Sequence, residues 1–376
     1  MKKRTLLISF VLAVSLLACF ALAAGGDAGD PLISLSFLNG AFTKTAEEKL
    51  DAAVDQAAQD ALGSAKAEWT SAVARAEASA GSDYAAKWTE ASLKQGDILS
   101  GTMGLQVIPY TRGITVRFSS GAVIDLTDGR ELASGEALTS GHRYLTAEDT
   151  TALFTVSGKT AVVSYCGSYH ITLSEQPDYN AMAAALRLLS LFRGTDTAYG
   201  GGNDLDRVPT RSQAIIMLIR MLGEEDAALA CTAKHPFVDV PDWCAPYVSY
   251  AYEKGYSNGV GRDRYGRELF GSDMDASAIM YTEFMLRALG YSSTDVSDIS
   301  DALERAQSVG VITAGEVSSL KSTDFLRADV VYLSYYALSA RMSDGTELSR
   351  RLSGAGVFSA ADYRTAQALV TTGRIS

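Results

Sequence analysis

The stretch Pro236 to Gly255, PFVDVPDWCAPYVSYAYEKG, decides how this chain is read. An aromatic, an acid and a proline open it. Trp243, Tyr247, Tyr250 and Ala251 then recur at helical spacing until Gly255, the pattern of a short helix entered through a turn and stopped by a glycine. These four residues share one face, so the helix carries an aromatic stripe that needs a partner.

The partner follows downstream and recurs. MDASAIMYTEFMLRALG (Met274 to Gly290) has counterparts in VPTRSQAIIMLIRMLG (Val208 to Gly223) and DFLRADVVYLSYYALS (Asp324 to Ser339). Setting Arg220 against Arg287 aligns Leu222-Gly223 with Leu289-Gly290, and Ala337-Leu338 takes the same place in the last copy. Upstream of each lies a helical pattern ending at a glycine: AALRLLSLFRG before Gly194, YVSYAYEKG before Gly255 and ALERAQSVG before Gly310. Three helix-loop-helix units of about fifty to sixty residues result, at 179–235, 236–294 and 295–345, with 346–376 as a C-terminal tail. A single pair cannot bury its apolar face, so the three are expected to stack around a shared core.

Before the repeats, residues 95–178 switch to a period of two in ITVRFSS, AVIDLT, RYLTA, ALFTVS, TAVVSY and YHITLS, which predicts a small antiparallel β module. Its SGKT at Ser157 to Thr160 has Leu153 where a phosphate-binding loop needs glycine, and a strand follows, so that motif is set aside. His142 and His170 stand alone and read as surface or turn residues.

Residues 24–94 read as a helical arm, with Leu50, Val54, Ala57, Ala61, Ala65, Trp69 and Val73 on one stripe. Thr45 and Glu48 suggest a capping box, and Gly63 and Gly81 suggest breaks. The alanine-rich stripe suits a spacer or a self-associating coiled coil. The fold class expected is therefore multidomain α+β: a helical segment, a β module and an all-α C-terminal bundle.

Lys2, Lys3 and Arg4 precede an apolar run from Leu6 to Ala23, and Ala21-Leu22-Ala23 supplies the small residues of a cleavage site, so residues 1–23 are expected to be a secretory signal peptide. An uncleaved anchor and lipidation at Cys19 are the alternatives; with cleavage, no membrane span remains. Removing three basic residues takes the formal charge from −11 to −14, which argues against nucleic acid as a partner. Cys166, Cys231 and Cys244 lack zinc-ligand spacing; Cys231 and Cys244 either pair or stay as thiols. The NDLD run at Asn203 to Asp206 lacks the spacing of a calcium loop. There is no H-E-x-x-H and no Cys/His constellation with a recognisable local signature. No cofactor and no enzyme are expected, the alternatives being a secreted enzyme tethered by the repeats and a degenerate repeat bundle that assembles with other surface proteins.

The repeats resemble S-layer homology (SLH) repeats over about Tyr179 to Met342. The second carries FVDVPDWCAPYVSYAYEKGYSNGVG, then Phe270-Gly271 and LRALGY; the first carries PTRSQAIIMLIRMLG, similar to the family's T-R-A-E/Q motif. DPLISLSFLNG (Asp30 to Gly40) and the β module also resemble segments that accompany SLH repeats in secreted proteins of Gram-positive, Clostridia-like bacteria. The resemblance implies a pseudo-threefold bundle whose inter-repeat grooves bind secondary cell-wall polysaccharide, often pyruvylated, so that the protein is held non-covalently on the cell wall.

The residues suit that chemistry. Thr210 and Gln213 form a T-x-x-Q capping box, which puts Arg211 in a first helical turn where the dipole favours an anion and a guanidinium can grip a carboxylate through two hydrogen bonds. The plain alternative is a simple cap with a solvated arginine. Arg327 and Asp329 match Arg211 and Gln213 in the third repeat, although Leu326 replaces the threonine. The second repeat has Ser277-Ala278-Ile279-Met280 there and offers no cation. Trp243 is either a sugar-stacking wall or core, and Asp239 ties a turn.

Overall fold

A computed structural model describes residues 42–79, 83–291 and 300–376. The leader assigned to residues 1–23 and the DPLISLSFLNG segment lie outside the described residues. The chain divides into two units on either side of Ser79.

In the first unit, alanine and straight-chain polar residues with high helix propensity form one helix, Thr43–Ser79. Two local expectations fail. Thr45 lies inside the helix, not at its cap, and Gly63 does not break it. One interior glycine costs about 1 kcal/mol relative to alanine, too little to interrupt such a run. Leu50, Val54, Leu62 and Trp69 on this helix are exposed, Trp69 to 72%.

The helical arm expected through residue 94 ends early, because Asp83–Lys94 is a strand, β1. It pairs antiparallel with β9 (Thr160–Thr172), from Asp83 opposite Tyr169 to Lys94 opposite Thr160. Its Ala, Glu and Lys favour helix in isolation. Burying Ala85 and Leu93 against the sheet decides otherwise, since strand preference follows packing context.

The remaining strands are β2 (Ile98–Gly101), β3 (Gln106–Pro109), β4 (Ile114–Arg117), β5 (Val123–Asp125), β6 (Arg130–Glu131), β7 (Tyr144–Thr146) and β8 (Ala152–Val156). With β9 they form one curled antiparallel sheet in the order β4-β8-β2-β9-β3-β7-β5-β6, and β1 adds to β9. Burial alternates along β3, β4, β5 and β8, as the period of two requires, and encloses Leu99, Leu105, Val107, Val116, Tyr144 and Phe154. TAVVSY and YHITLS, expected as two runs, are one strand. At their junction Gly167 has φ +117, and a Cβ there would lie 2.8 Å from the Gly104 carbonyl oxygen. Glycine lets β9 pass that backbone and pair on with β2.

The helical region places Tyr179–Leu188, Arg211–Met221, Ala245–Glu253, Ala278–Ala288, Ala302–Ser308 and Arg327–Ala337 around one apolar cluster, which includes Met182, Ile215, Val248, Tyr281, Leu303 and Val331. Residues 346–376, expected as a tail, are part of it. Leu348–Gly354 and Ala360–Leu369 are helices, and Leu348, Leu352, Phe358 and Ala366 are buried in the same cluster. The Ala360–Leu369 helix packs on Tyr179–Leu188, and the Asp178 amide donates to Thr372 Oγ1 at 3.0 Å. Arg374 closes the end with a two-point ion pair to the buried Glu316, at 2.6 and 2.8 Å.

The helical hairpins are joined at their entrances. The Arg211 amide donates to the Met274 carbonyl (2.7 Å) and Ala276 to Pro209 (2.9 Å), while the Arg327 and Ala328 amides donate to Arg207 and Leu205 (2.8 and 3.0 Å). The Ala278–Ala288 helix meets Arg327–Ala337 through the Tyr281 and Ser334 hydroxyls, 2.7 Å apart. The sheet is tied to this region by Lys159 on Asp329, by Asn180 Nδ2 donating to Thr160 Oγ1 (3.0 Å) and by the Gly200 amide on Glu90 (3.0 Å).

Candidate functional site

The Thr210 capping box is present: the Gln213 amide donates to Thr210 Oγ1 at 3.3 Å, and the Thr210 amide donates to Gln213 Oε1 at 3.1 Å. It fixes the first turn of Arg211–Met221 and so the direction of Arg211. That side chain is buried, 3% exposed, where a surface cation was one expectation. Its Nη2 donates to Ser257 Oγ (2.8 Å) and to the Gly259 carbonyl (3.3 Å), and its guanidinium lies 5.0 and 4.7 Å from the ring centroids of Phe270 and Phe284. Nε has no partner. Among the described residues no carboxylate pairs with this arginine. Burial, with the charge of Arg287 adding to it, pushes the guanidinium down to about 10, against the weaker pull of Asp239.

Glycine is required at 259. Its φ is +85, and a Cβ would come within 2.5 Å of both the Leu269 carbonyl and the Phe237 ring. That close approach holds the carbonyl that receives Arg211. Asp239 ties the adjoining turn as expected, accepting from the Phe270 and Gly271 amides at 2.7 Å each.

Arg327 repeats the arrangement at another junction. It is 6% exposed, its Nε donates to the Asn203 carbonyl (3.2 Å), its Nη1 approaches Met217 Sδ (3.6 Å), and it sits 5.9 Å from the centroid of Phe192. Burial lowers its pKa too. Both arginines thus begin a helix, lie against a phenylalanine and contact backbone carbonyls of a neighbouring repeat. The corresponding Ala278 offers no such group.

Asp329 does not join Arg327 at that junction. It caps its own helix through the Leu326 amide (2.7 Å) and takes Lys159 Nζ at 2.6 and 2.7 Å. Burial pushes its carboxyl up, opposed by Lys159. Trp243 is 57% exposed, whereas Tyr247, Tyr250 and Ala251 from the same stripe are buried. It is therefore not core. Cys231 and Cys244 are free thiols; the Cys244 thiol is directed to Ser212 Oγ, 3.6 Å away.

Ser257, Gly259, Phe270 and Phe284 were missed as companions of Arg211, although Ser257 and Gly259 stand in the YSNGVG that carries the resemblance. Lys159 had no local signal, because its partner is 170 residues away. His142, expected to stand alone, is bonded through Nδ1 to the buried Asp125 at 2.8 Å.

No family model matches the chain. Over 144 residues it is 31% identical to a "Cell surface protein" of Thermoanaerobacter kivui, an alignment that covers 37% of this chain and 18% of that protein. The chain thus spans less than a fifth of the relative's length. Among the described residues no helix is long and apolar enough to cross a membrane. The likeness fits a protein of the cell surface.

Proposed function

We propose that residues 179–376 form a pseudo-threefold bundle of three SLH repeats that anchors the protein non-covalently to the cell wall by binding secondary cell-wall polysaccharide at Arg211 and Arg327. The observation that carries this reading is the buried guanidinium of Arg211 without a carboxylate. Burying an uncompensated charge is costly, and its attraction for a counter-charge grows as water is excluded. A ketal-linked pyruvate would supply the missing charge and set its methyl beside Phe270 and Phe284. To reach Arg211 it must take over the bonds now made to Ser257 and Gly259. Repeat two, with Ala278, is silent in this scheme, and Asp329 serves the sheet instead of the ligand. The exposed Trp243 remains available to a sugar face. Two weak sites suffice, because a polymer with many copies of the ligand raises effective concentration. The protein acts as a binder, not an enzyme, exported by its N-terminal leader.

One observation favours a second reading. Both arginines already donate to groups of their own chain, Arg211 through Nη2 and Arg327 through Nε, as expected of a degenerate bundle that assembles with other surface proteins. Purified sacculi, compared with sacculi stripped of secondary polymer, separate the two. Retention that disappears on stripping, and in a folded Arg211→Met/Arg327→Met variant, supports wall anchoring. Equal retention on stripped sacculi supports assembly, and a double variant that stays bound removes the arginines from the site.

A further inference from the structure

The sheet and the helical region meet at a cleft of about 520 Å³, within the size range of small-molecule sites. It is separate from the seats of Arg211 and Arg327. Its walls include Tyr110, Arg112 and Ser140 from the sheet side and Tyr199, Asp206 and Arg207 from the helical side. Gly113 and Gly158 also line it, with backbones so close that a Cβ on Gly113 would lie 2.9 Å from Gly158. Side chains there would narrow the space.

Three features of these walls point the same way. Arg112 and Arg207 are exposed, and neither is in an ion pair among the described residues; Arg207 lies near Tyr199, Asp204 and Asp206. Lys159, the third cation of the cleft, is already engaged by Asp329 and by the Asp324 carbonyl. Tyr110 and Tyr199 stack with ring centroids 5.0 Å apart and an interplanar angle of 11°, a parallel aromatic pair with one ring from each side. Finally, Ser140 Oγ and Asp206 Oδ1 are buried polar atoms without a hydrogen-bond partner. Unpaired buried polar atoms are unfavourable, and a ligand with hydroxyl groups would pair them.

We propose that this cleft is a second carbohydrate site, built jointly by the β sheet and the helical region, that takes a short oligosaccharide bearing a carboxylate. Arg112 and Arg207 hold the carboxylate, the tyrosine pair receives the apolar sugar surface, and Ser140 and Asp206 bond hydroxyls. A bare inorganic anion would leave the tyrosines and the two orphan atoms unused. A neutral sugar would leave the arginines unused. The site assigns the β sheet a role in ligand binding, and it stands or falls independently of Arg211 and Arg327.

Isothermal titration of the full chain with trigalacturonate, and separately with maltotriose, tests it. Trigalacturonate is expected to bind wild type at least tenfold more tightly than maltotriose and to lose at least tenfold in Arg112→Ala/Arg207→Ala. Both cleft arginines are exposed, so their removal leaves the fold intact; Ser140→Ala is a second, independent variant expected to weaken binding. The proposal is overturned by absence of trigalacturonate binding at millimolar concentration, by binding that survives loss of Arg112 and Arg207, or by equal affinity for maltotriose.

Discussion

Replacing Arg211 with methionine separates its cost to the fold from its use in binding. Burial pushes its guanidinium down to about 10, and at about 1.4 kcal/mol per pKa unit the buried charge costs about 3 kcal/mol. Against this stand the bonds to Ser257 (2.8 Å) and Gly259 (3.3 Å), worth about 1.5–3 kcal/mol each as charge-assisted bonds, and two cation–π contacts of about 0.5–2 kcal/mol each. Methionine is long and unbranched. It fills the same channel and restores part of the aromatic contact through its sulfur, about 0.3–1.5 kcal/mol. Taken at the low end of their ranges, as the long 3.3 Å bond to Gly259 indicates, the favourable contacts sum to about 4 kcal/mol against a cost of about 3, so Arg211→Met is expected to change unfolding free energy by no more than about 2 kcal/mol, whereas Arg211→Ala leaves a cavity and costs about 2–5 kcal/mol, as for other large-to-small core changes. Urea titration followed by circular dichroism measures both. Sacculus binding by the methionine variant is expected to fall while the fold persists. A loss above about 4 kcal/mol in Arg211→Met would refute the reasoning, because the guanidinium would then be a structural tie and not a charge awaiting a ligand.

Lys159→Met strands the Asp329 carboxylate in the protein interior and is expected to cost about 3–5 kcal/mol at neutral pH. Because burial raises the Asp329 pKa in the folded state, its folded form binds a proton more readily than its unfolded form, so the deficit should shrink as pH falls through the folded value; parallel urea curves at pH 7 and pH 5 check the sign. Glu316→Gln removes the anchor of Arg374 and should cost about 1.5–3 kcal/mol, with faster amide exchange confined first to residues 371–376. Gly259→Ala forces a side chain into a positive-φ position against the Leu269 carbonyl and should lower the thermal midpoint; an unchanged midpoint would contradict the geometry described for that turn.

What could be read from the sequence was local. The helices beginning at Arg211, Ala278 and Arg327 follow from apolar periodicity, and the Thr210–Gln213 cap from a four-residue motif, because each depends on contacts within one or two turns. β1 was missed for the opposite reason. Ala85 to Lys94 is strand only because β9 lies beside it, and nothing within the segment announces that neighbour. Residues 346–376 read as a tail because their apolar stripe is thin, with Phe358 and Ala366 doing much of the burying. At the candidate site, the arginines were legible as residues, but their burial was not. That depends on Phe270, Phe284 and the Gly259 turn arriving from another repeat.

The contact between Ala360–Leu369 and Tyr179–Leu188 bears on how the chain is made. Asp178 is held by Thr372, 194 residues later, and Lys159 by Asp329, 170 residues later. A growing polypeptide therefore cannot complete this unit until residues 360–374 emerge, and such distant pairings are slow to form. Loss of residues 360–376 would strip the Tyr179–Leu188 helix of its cover and open its apolar face to proteases.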